Sequence, residues 1–296
     1  MHRRSFLQLM GVAALAASPL LHAQPQARRV APLDWQLAEI MLGLGVSPLA
    51  IPSLDMYRAR VPQPPLPAGV LDLGASWEPS LELLARLKPD LILLSPVQQM
   101  AQAQYAAIAP VRVLDVPTTL APIPRGLAAI SEVGEWLHCQ PEAQALVASL
   151  GARLDAARAR ILGQQHRPIY LADIDQGGSH VRLWGHNSLL GDALARVGLV
   201  NAWDGELGPA GFALVPLEQL VERPEARMLY LNFGKASQRS LKTLGASTLW
   251  NVLPFVRERR LSAIPPTYVF GGTQTAARFA ELLVEHLPAD PEYAHG

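Results

Sequence analysis

The sequence predicts an α/β protein of two Rossmann-like lobes, each built on a mainly parallel sheet, joined by a single long helix. Three observations carry this. Short apolar runs alternate with amphipathic stretches along both halves of the chain. One helical stretch, 141–162, separates the halves with no internal breaker other than Gly151. A unit of apolar stripe, proline stop and apolar strand occurs once in each half, with Leu81, Leu84 and Pro89 matched by Leu217, Leu220 and Pro224. The alternative for 141–162 is an ordinary surface helix within one domain.

In the first half, Arg28 to Ala31 starts a strand. Trp35 to Leu44 puts Leu37, Ile40, Met41 and Leu44 at helical spacing, with Gly45 as the stop. Val46 to Ile51 reads as a strand. Pro62, Pro64, Pro65 and Pro67 cannot donate to a sheet ladder, so that run is loop, and Tyr57 and Arg60 are placed with it. Val70 to Leu73 is a short strand. In "GASWEPSLELLARLKPDLILLSP", 74–96, Pro79 suits a first helical turn and Leu81, Leu84 and Leu87 form the buried stripe. Pro89 stops that helix, and Leu91 to Leu94 is an apolar strand of the kind covered on both faces. Val111 to Val116 is a further strand, and Gly126 to Leu137 is amphipathic.

Pro141 opens the long helix. Beyond it, Pro168 to Ile174 and Val181 to Trp184 read as strands. Asn187 or Ser188 caps a helix that ends near Val197-Gly198. The stretch 215–234 carries the second helix–proline–strand unit, with Glu218 placed as Glu82 is in the first. Trp250 to Val256, a strand Leu261 to Ile264 and a helix from Thr275 to Leu287 complete the half. The expected division is 1–23 leader, 24–140 first lobe, 141–163 bridge and 164–296 second lobe.

The leader is a signal peptide by its pattern. His2-Arg3-Arg4-Ser5-Phe6-Leu7-Gln8 is a positive region of twin-arginine type, followed by an apolar run from Leu9 to Leu21 and a cleavage position after Ala23. That run is short for a spanning helix, which needs roughly 20 residues. Lysine plus arginine equals aspartate plus glutamate, 25 each, so charge gives no sign of a nucleic-acid partner. With one cysteine, Cys139, the chain has no internal disulfide, and Cys139 reads as a packing residue.

Enzyme signatures are missing from the sequence. It has no phosphate-binding glycine loop, no G-x-G-x-x-G after a strand and no H-E-x-x-H. Gly177-Gly178-Ser179-His180-Val181 is a near miss to a nucleophile elbow. His180 and His186 share a region but read as solvated. What gathers near strand ends is aromatic and polar: Trp35, Tyr57, Arg60, Ser76, Trp77, Gln98 and Gln99 in the first half, and Phe212, Phe233, Tyr268 and Phe270 in the second. Ligands of open parallel sheets sit beyond the carboxyl ends of the strands. Loop aromatics with few charges suit a bulky, partly apolar ligand.

Four stretches then carry a resemblance: 56–95, "GHNSLLGDALARVGLVNAW", "LWNVLPFVRERRLSAIP" and "GGTQTAARFAELL". In order, from about Val30 to the final helix, the chain resembles the periplasmic iron–hydroxamate siderophore-binding proteins of ferrichrome uptake. These belong to the helical-backbone class, class III, of ABC-transporter binding proteins. The resemblance implies a periplasmic, non-enzymatic monomer that carries a ferric siderophore to an inner-membrane permease. Iron enters only within the ligand, and no cofactor is implied. It also implies little hinge closure, with Glu82 and Glu218 as the carboxylates, one per lobe, that dock on permease arginines. The chain departs from the pattern at several places. Ser76 stands where the family has a chelate-binding arginine, and Gln98-Gln99 where it has a tyrosine. Ala210, with Phe212 nearby, replaces a tryptophan. Arg60 stands at another tryptophan position and is the candidate for the missing positive charge, while Tyr268 and Phe270 keep aromatic character. Two other readings remain: a cobalamin or haem binder of the same fold, with Tyr57, Tyr268 or His186 as axial ligand, and an exported hydrolase centred on Ser179-His180.

Overall fold

The computed structural model describes residues 29–116, 118–174, 179–290 and 293. The signal-peptide reading of 1–23, and Gly177-Gly178 of the near-miss elbow, lie outside the described residues. The first lobe runs β1 (Val30–Pro32), α1 (Trp35–Gly43), β2 (Ala50–Ile51), α2 (Leu54–Arg60), β3 (Leu71–Asp72), α3 (Leu81–Leu87), β4 (Leu91–Leu94), a 3-10 turn (Pro96–Ala101), α4 (Gln102–Ala106) and β5 (Val111–Val113). Two long helices follow, α5 (Pro122–Leu137) and α6 (Gln140–Leu162). The second lobe runs β6 (Ile169–Asp173), β7 (His180–Trp184), α7 (Leu189–Arg196), β8 (Phe212–Pro216), a 3-10 turn (Leu217–Val221), β9 (Arg227–Leu231), α8 (Lys235–Gly245), α9 (Thr248–Val252), α10 (Pro254–Arg257) and β10 (Leu261–Ile264). The last helix, α11 (Thr273–His286), returns to the middle layer.

The first-lobe strands are parallel. β4 lies between β1 and β5, and β2 pairs with β3. The Leu49 amide donates to the Val30 carbonyl at 2.8 Å and joins the two pieces, giving the order β3-β2-β1-β4-β5. β4 is central, which is why all four of its residues are buried and apolar. The second sheet is ordered β10-β9-β6-β7-β8. It is parallel across β10, β9 and β6 and antiparallel across β6, β7 and β8. Among the described residues, no helix is long and apolar enough to cross a membrane.

Several elements differ from their sequence expectation. Tyr57 and Arg60 sit on a helix, α2, rather than in the proline loop. Leu54 and Tyr57 bury one face of it, and the loop begins only at Pro62. The second helix–proline unit is not an α-helix at 217–221 but a 3-10 turn. Only the seven residues 217–223 lie between Pro216 and Pro224, and Pro224 disfavours the α conformation at Arg223, so the segment stops as a short turn. α8 gave no periodic signal because its inner face is made of Ser237 and Ser240 with Leu244.

The bridge does not act alone. A single apolar core takes Leu91 and Leu93 from the first sheet and Ile169, Leu171 and Leu229 from the second. It joins them through Ile130 and Val133 of α5, Leu150 and Leu154 of α6, and Phe279 and Leu283 of α11. The lobes therefore cannot part without exposing that core.

A polar grip reinforces it. Gln36 Nε2 of α1 donates to the Phe270 carbonyl at 2.8 Å. Glu39, fully buried, accepts from Thr275 Oγ1 at 2.8 Å and from the Gly272 amide at 3.3 Å, and the Thr275 amide also bonds to it. The carboxylate thus serves the open amides at the start of α11, where Gly272 offers no side-chain cap. Gly271 leaves the room: a Cβ there would stand 2.5 Å from Thr275 Oγ1 and 2.9 Å from Glu39 Oε1.

Burial pushes Glu39 from its ordinary 4.5 up to about 7, against the pull of these hydrogen bonds. The folded protein therefore binds this proton more tightly than the unfolded chain. The contribution is full below pH 4.5 and is lost as pH rises through about 7. Stability should fall between pH 5 and 8 by up to ~3 kcal/mol from this group. In urea unfolding, Glu39→Gln should remove that contribution, leaving Asp34, whose carboxyl is shifted the same way by burial, and His166, whose imidazole burial pushes down and whose slope is opposite. An unchanged slope in the variant would refute this role.

Candidate functional site

The carboxyl ends of both sheets face one another across a cleft of about 540 Å³. From the first lobe, β1 runs directly into Leu33, Asp34 and Trp35, and β4 runs into Ser95 and Gln98. These two strands lie where the strand order reverses, the place at which open α/β sheets hold ligands. From the second lobe come Asp173 at the end of β6, Arg182 and Trp184 of β7, Phe212 of β8, and 268–270 beyond β10. The volume is within the ~300–1,000 Å³ of small-molecule sites.

The floor is an arc of six rings in successive contact. Tyr57 meets Trp35 edge-on at 5.6 Å between centroids, and Trp35 meets Tyr268 at 4.8 Å. Tyr268 meets Phe270 at 6.1 Å, Phe270 meets Trp184 at 5.5 Å, and Trp184 meets Phe212 at 5.3 Å. Each pair falls in the range of favourable edge-on or tilted packing. Trp35 is further fixed by its indole N–H, which donates to the Pro52 carbonyl at 2.8 Å. Trp77 is different: it stands 86% exposed at the mouth.

Polar groups punctuate this wall. Asp34 caps α1, accepting from the Gln36 amide at 2.8 Å, and burial holds its carboxyl above the usual range. Ser76 Oγ donates to Ser53 Oγ at 2.9 Å. Gln98 accepts from the Ser95 amide at 2.9 Å and donates to the Leu33 carbonyl at 3.1 Å, so it ties β4 to β1. Arg182 pairs with Asp173 at 3.1 Å and lies 4.9 Å over the Phe212 ring. Arg60 crosses from α2 to lie 5.1 Å over Phe233 of the opposite lobe.

Of the eleven residues gathered from the sequence, Trp35, Arg60, Ser76, Trp77, Gln98, Phe212, Tyr268 and Phe270 line the cleft, while Tyr57, Gln99 and Phe233 do not. Tyr57 is fully buried beneath Trp35. Gln99 is exposed on the 3-10 turn beside Gln98. Glu82 and Glu218 are exposed, one on each lobe, and Glu82 stands 3.9 Å from Arg86. Sequence reasoning missed Asp34, Asp173, Arg182 and Trp184. The first was hidden in its capping role, and the others in strands of ordinary apolar pattern.

The other readings fare differently. Of the three axial-ligand candidates for haem, only Tyr268 lines the cleft, and burial pushes its hydroxyl away from the phenolate form. Ser179 Oγ and His180 Nδ1 lie 2.9 Å apart, but both are exposed and lie away from the cleft.

Residues 30–268 match the family model described as periplasmic binding protein. The chain belongs to the periplasmic binding protein family. It is 29% identical over 277 residues to the iron(3+)-hydroxamate-binding protein FhuD of Escherichia coli K12, covering 91% of this chain and 93% of that one. Among solved structures, the Fe3+-Desferal-bound siderophore-binding protein FhuD of Vibrio cholerae matches with a TM-score of 0.80 and 28% identity, over 88% of this chain and 98% of that one. The triscatecholate siderophore-binding protein FeuA of Bacillus subtilis, at 17% identity and a TM-score of 0.68 over 88% and 92% of the two chains, shares the fold. The family and these relatives are binding proteins, and the architecture is that of the helical-backbone class: one parallel and one mixed sheet on a helical layer.

In this periplasmic binding protein Tyr268 is the middle of the ring arc. Tyr268→Ala removes contacts to both Trp35 and Phe270, and should cost roughly 2–4 kcal/mol in urea unfolding, whereas Tyr268→Phe should cost less than about 1. Equal losses for the two would show that the hydroxyl, not the ring, matters.

Proposed function

We propose that this chain is an exported periplasmic protein that captures a ferric siderophore of hydroxamate type and delivers it to an ABC importer. The observation that carries the reading is the aromatic cleft shared by both lobes, in a chain that matches the two FhuD proteins over almost its whole length. A ferric trihydroxamate has an apolar organic shell and outward-facing oxygens, with its iron already saturated. Such a cargo needs ring faces and hydrogen-bond donors rather than protein ligands to the metal. Trp35, Tyr268, Phe270 and Phe212 supply the faces. Arg60 and Arg182 supply charged donors in the place of the arginine that Ser76 does not provide. The protein makes and breaks no bond.

Export fits the twin-arginine leader with cleavage after Ala23, leaving lobes 24–140 and 164–296 about the bridge 141–163 in a monomer. Glu82 and Glu218 would meet basic residues of an inner-membrane permease, where exposed charges govern encounter and orientation more than affinity.

Titration of the purified protein with a ferric trihydroxamate should change tryptophan emission saturably, since Trp35, Trp77 and Trp184 line the cleft. No response, and no ligand retained on gel filtration, would end the siderophore reading. In proteoliposomes, charge reversal of Glu82 and Glu218 together should cut ferric-siderophore uptake at least ~10-fold and leave the binding constant within about twofold. Undiminished uptake would remove the docking role.

A further inference from the structure

Beside the main cleft lies a second, smaller chamber of about 200 Å³. Its walls are the end of β6 at Asp173 and Ile174, Phe233, and the inner face of α8 at Ala236, Ser237 and Ser240. Arg60 and Arg182 line both spaces, so the two guanidiniums, one from each lobe, stand where chamber and cleft meet. The chamber's volume is less than half that of the main cleft. That admits a short acyl arm and excludes a chelate.

The chemistry of the walls selects the arm. Ser237 Oγ is used up, accepting from the Phe233 amide at 2.8 Å and donating to the Leu231 carbonyl at 3.2 Å. Ser240 Oγ donates to the Ala236 carbonyl at 3.2 Å. The donors left over are those of the arginines. Arg182 has one pairing, with Asp173, and its buried Nε has no partner among the described residues. Arg60 stacks on Phe233, and among the described residues no carboxylate pairs with it. The junction therefore carries a net charge of about +1, two guanidiniums against the Asp173 carboxylate.

Resting on the siderophore reading of the cleft, we propose that this chamber is a second ligand subsite that takes an anionic arm of the chelate, a carboxylate-terminated acyl chain held between Arg60 and Arg182.

The test uses one linear ferric trihydroxamate with its terminal amine capped either by acetyl, which is neutral, or by succinyl, which ends in a carboxylate. Both are titrated by tryptophan fluorescence. The succinyl form should bind at least ~10-fold more tightly, by an advantage that shrinks as salt rises. Arg60→Gln and Arg182→Gln should each lower the succinyl-over-acetyl ratio at least ~3-fold, and the double variant should bring it to about one. Ala236→Leu, which narrows the chamber without touching either arginine, should lower the same ratio. Equal binding of the two forms by the unaltered protein overturns the proposal. So does a ratio that survives the double arginine variant, or one that survives Ala236→Leu. If neither form binds, the reading of the main cleft has failed and takes the chamber with it, an outcome distinct from equal binding.

Discussion

The grip of α1 on the segment 270–275 is the interaction on which the site depends. α1 begins with Asp34 and Trp35 in the cleft and continues with Gln36 and Glu39, which hold the Phe270 carbonyl and the start of α11. The held segment belongs to the chain leaving the second lobe; it begins with Phe270 and lies two residues beyond Tyr268. One helix thus places rings from both lobes relative to one another. The isolation of Glu39 from water makes these hydrogen bonds stronger, and it also raises the cost of leaving any of them unmade. The close approach requires glycine at 271, where any side chain would collide with the carboxylate. The seam that joins the lobes and the floor of the cleft are continuous, since Gln36 follows Trp35 and Phe270 belongs to both.

A cleft built this way is formed before its ligand arrives. The shared core through α5, α6 and α11 opposes hinge opening, and the rings of the arc are held by contacts with one another. Binding to a preformed apolar wall avoids most of the ordering cost that a closing pair of domains would incur. It also limits selectivity, because flat ring faces accept many organic shells. Discrimination then falls to the few charged groups. On the reading proposed above, the cationic ones are Arg60 and Arg182, since the hydroxyl of Ser76 is committed to Ser53.

The fold was largely legible in the sequence because its strongest signals are long or sharply stopped. The uninterrupted run that became α6, the proline stops at Pro89 and Pro224, and the apolar strand Leu91–Leu94 each admit few readings. What escaped was short or polar. α2 has seven residues beside a proline cluster, and α8 buries serines, so neither shows a clear apolar stripe. For the site, composition pointed to loop aromatics and the structure gathers most of them, but pattern alone could not rank them. Trp35 and Tyr57 look alike in sequence, yet one lines the cleft and the other supports it from below. Arg182 could not be found from sequence, since its neighbours on β7, Val181 and Leu183, are buried and apolar. Alternation turns Arg182 to the face opposite Val181 and Leu183, but only the folded sheet shows that this face borders the cleft.

Register also explains how Arg182 can serve a site at all. A lone arginine on a strand can adopt many rotamers, and ordering it for a ligand costs entropy. Here Asp173, paired with Arg182 across the antiparallel β6–β7 ladder, fixes the guanidinium from one side, and the Phe212 face on β8 fixes it from the other. The antiparallel edge is what brings these three neighbours together. A continuation of the parallel pattern would have placed a crossover helix over this corner instead. The departure of the second sheet from parallel order is therefore the feature that allows a charged donor, held in advance, to face an otherwise aromatic cleft.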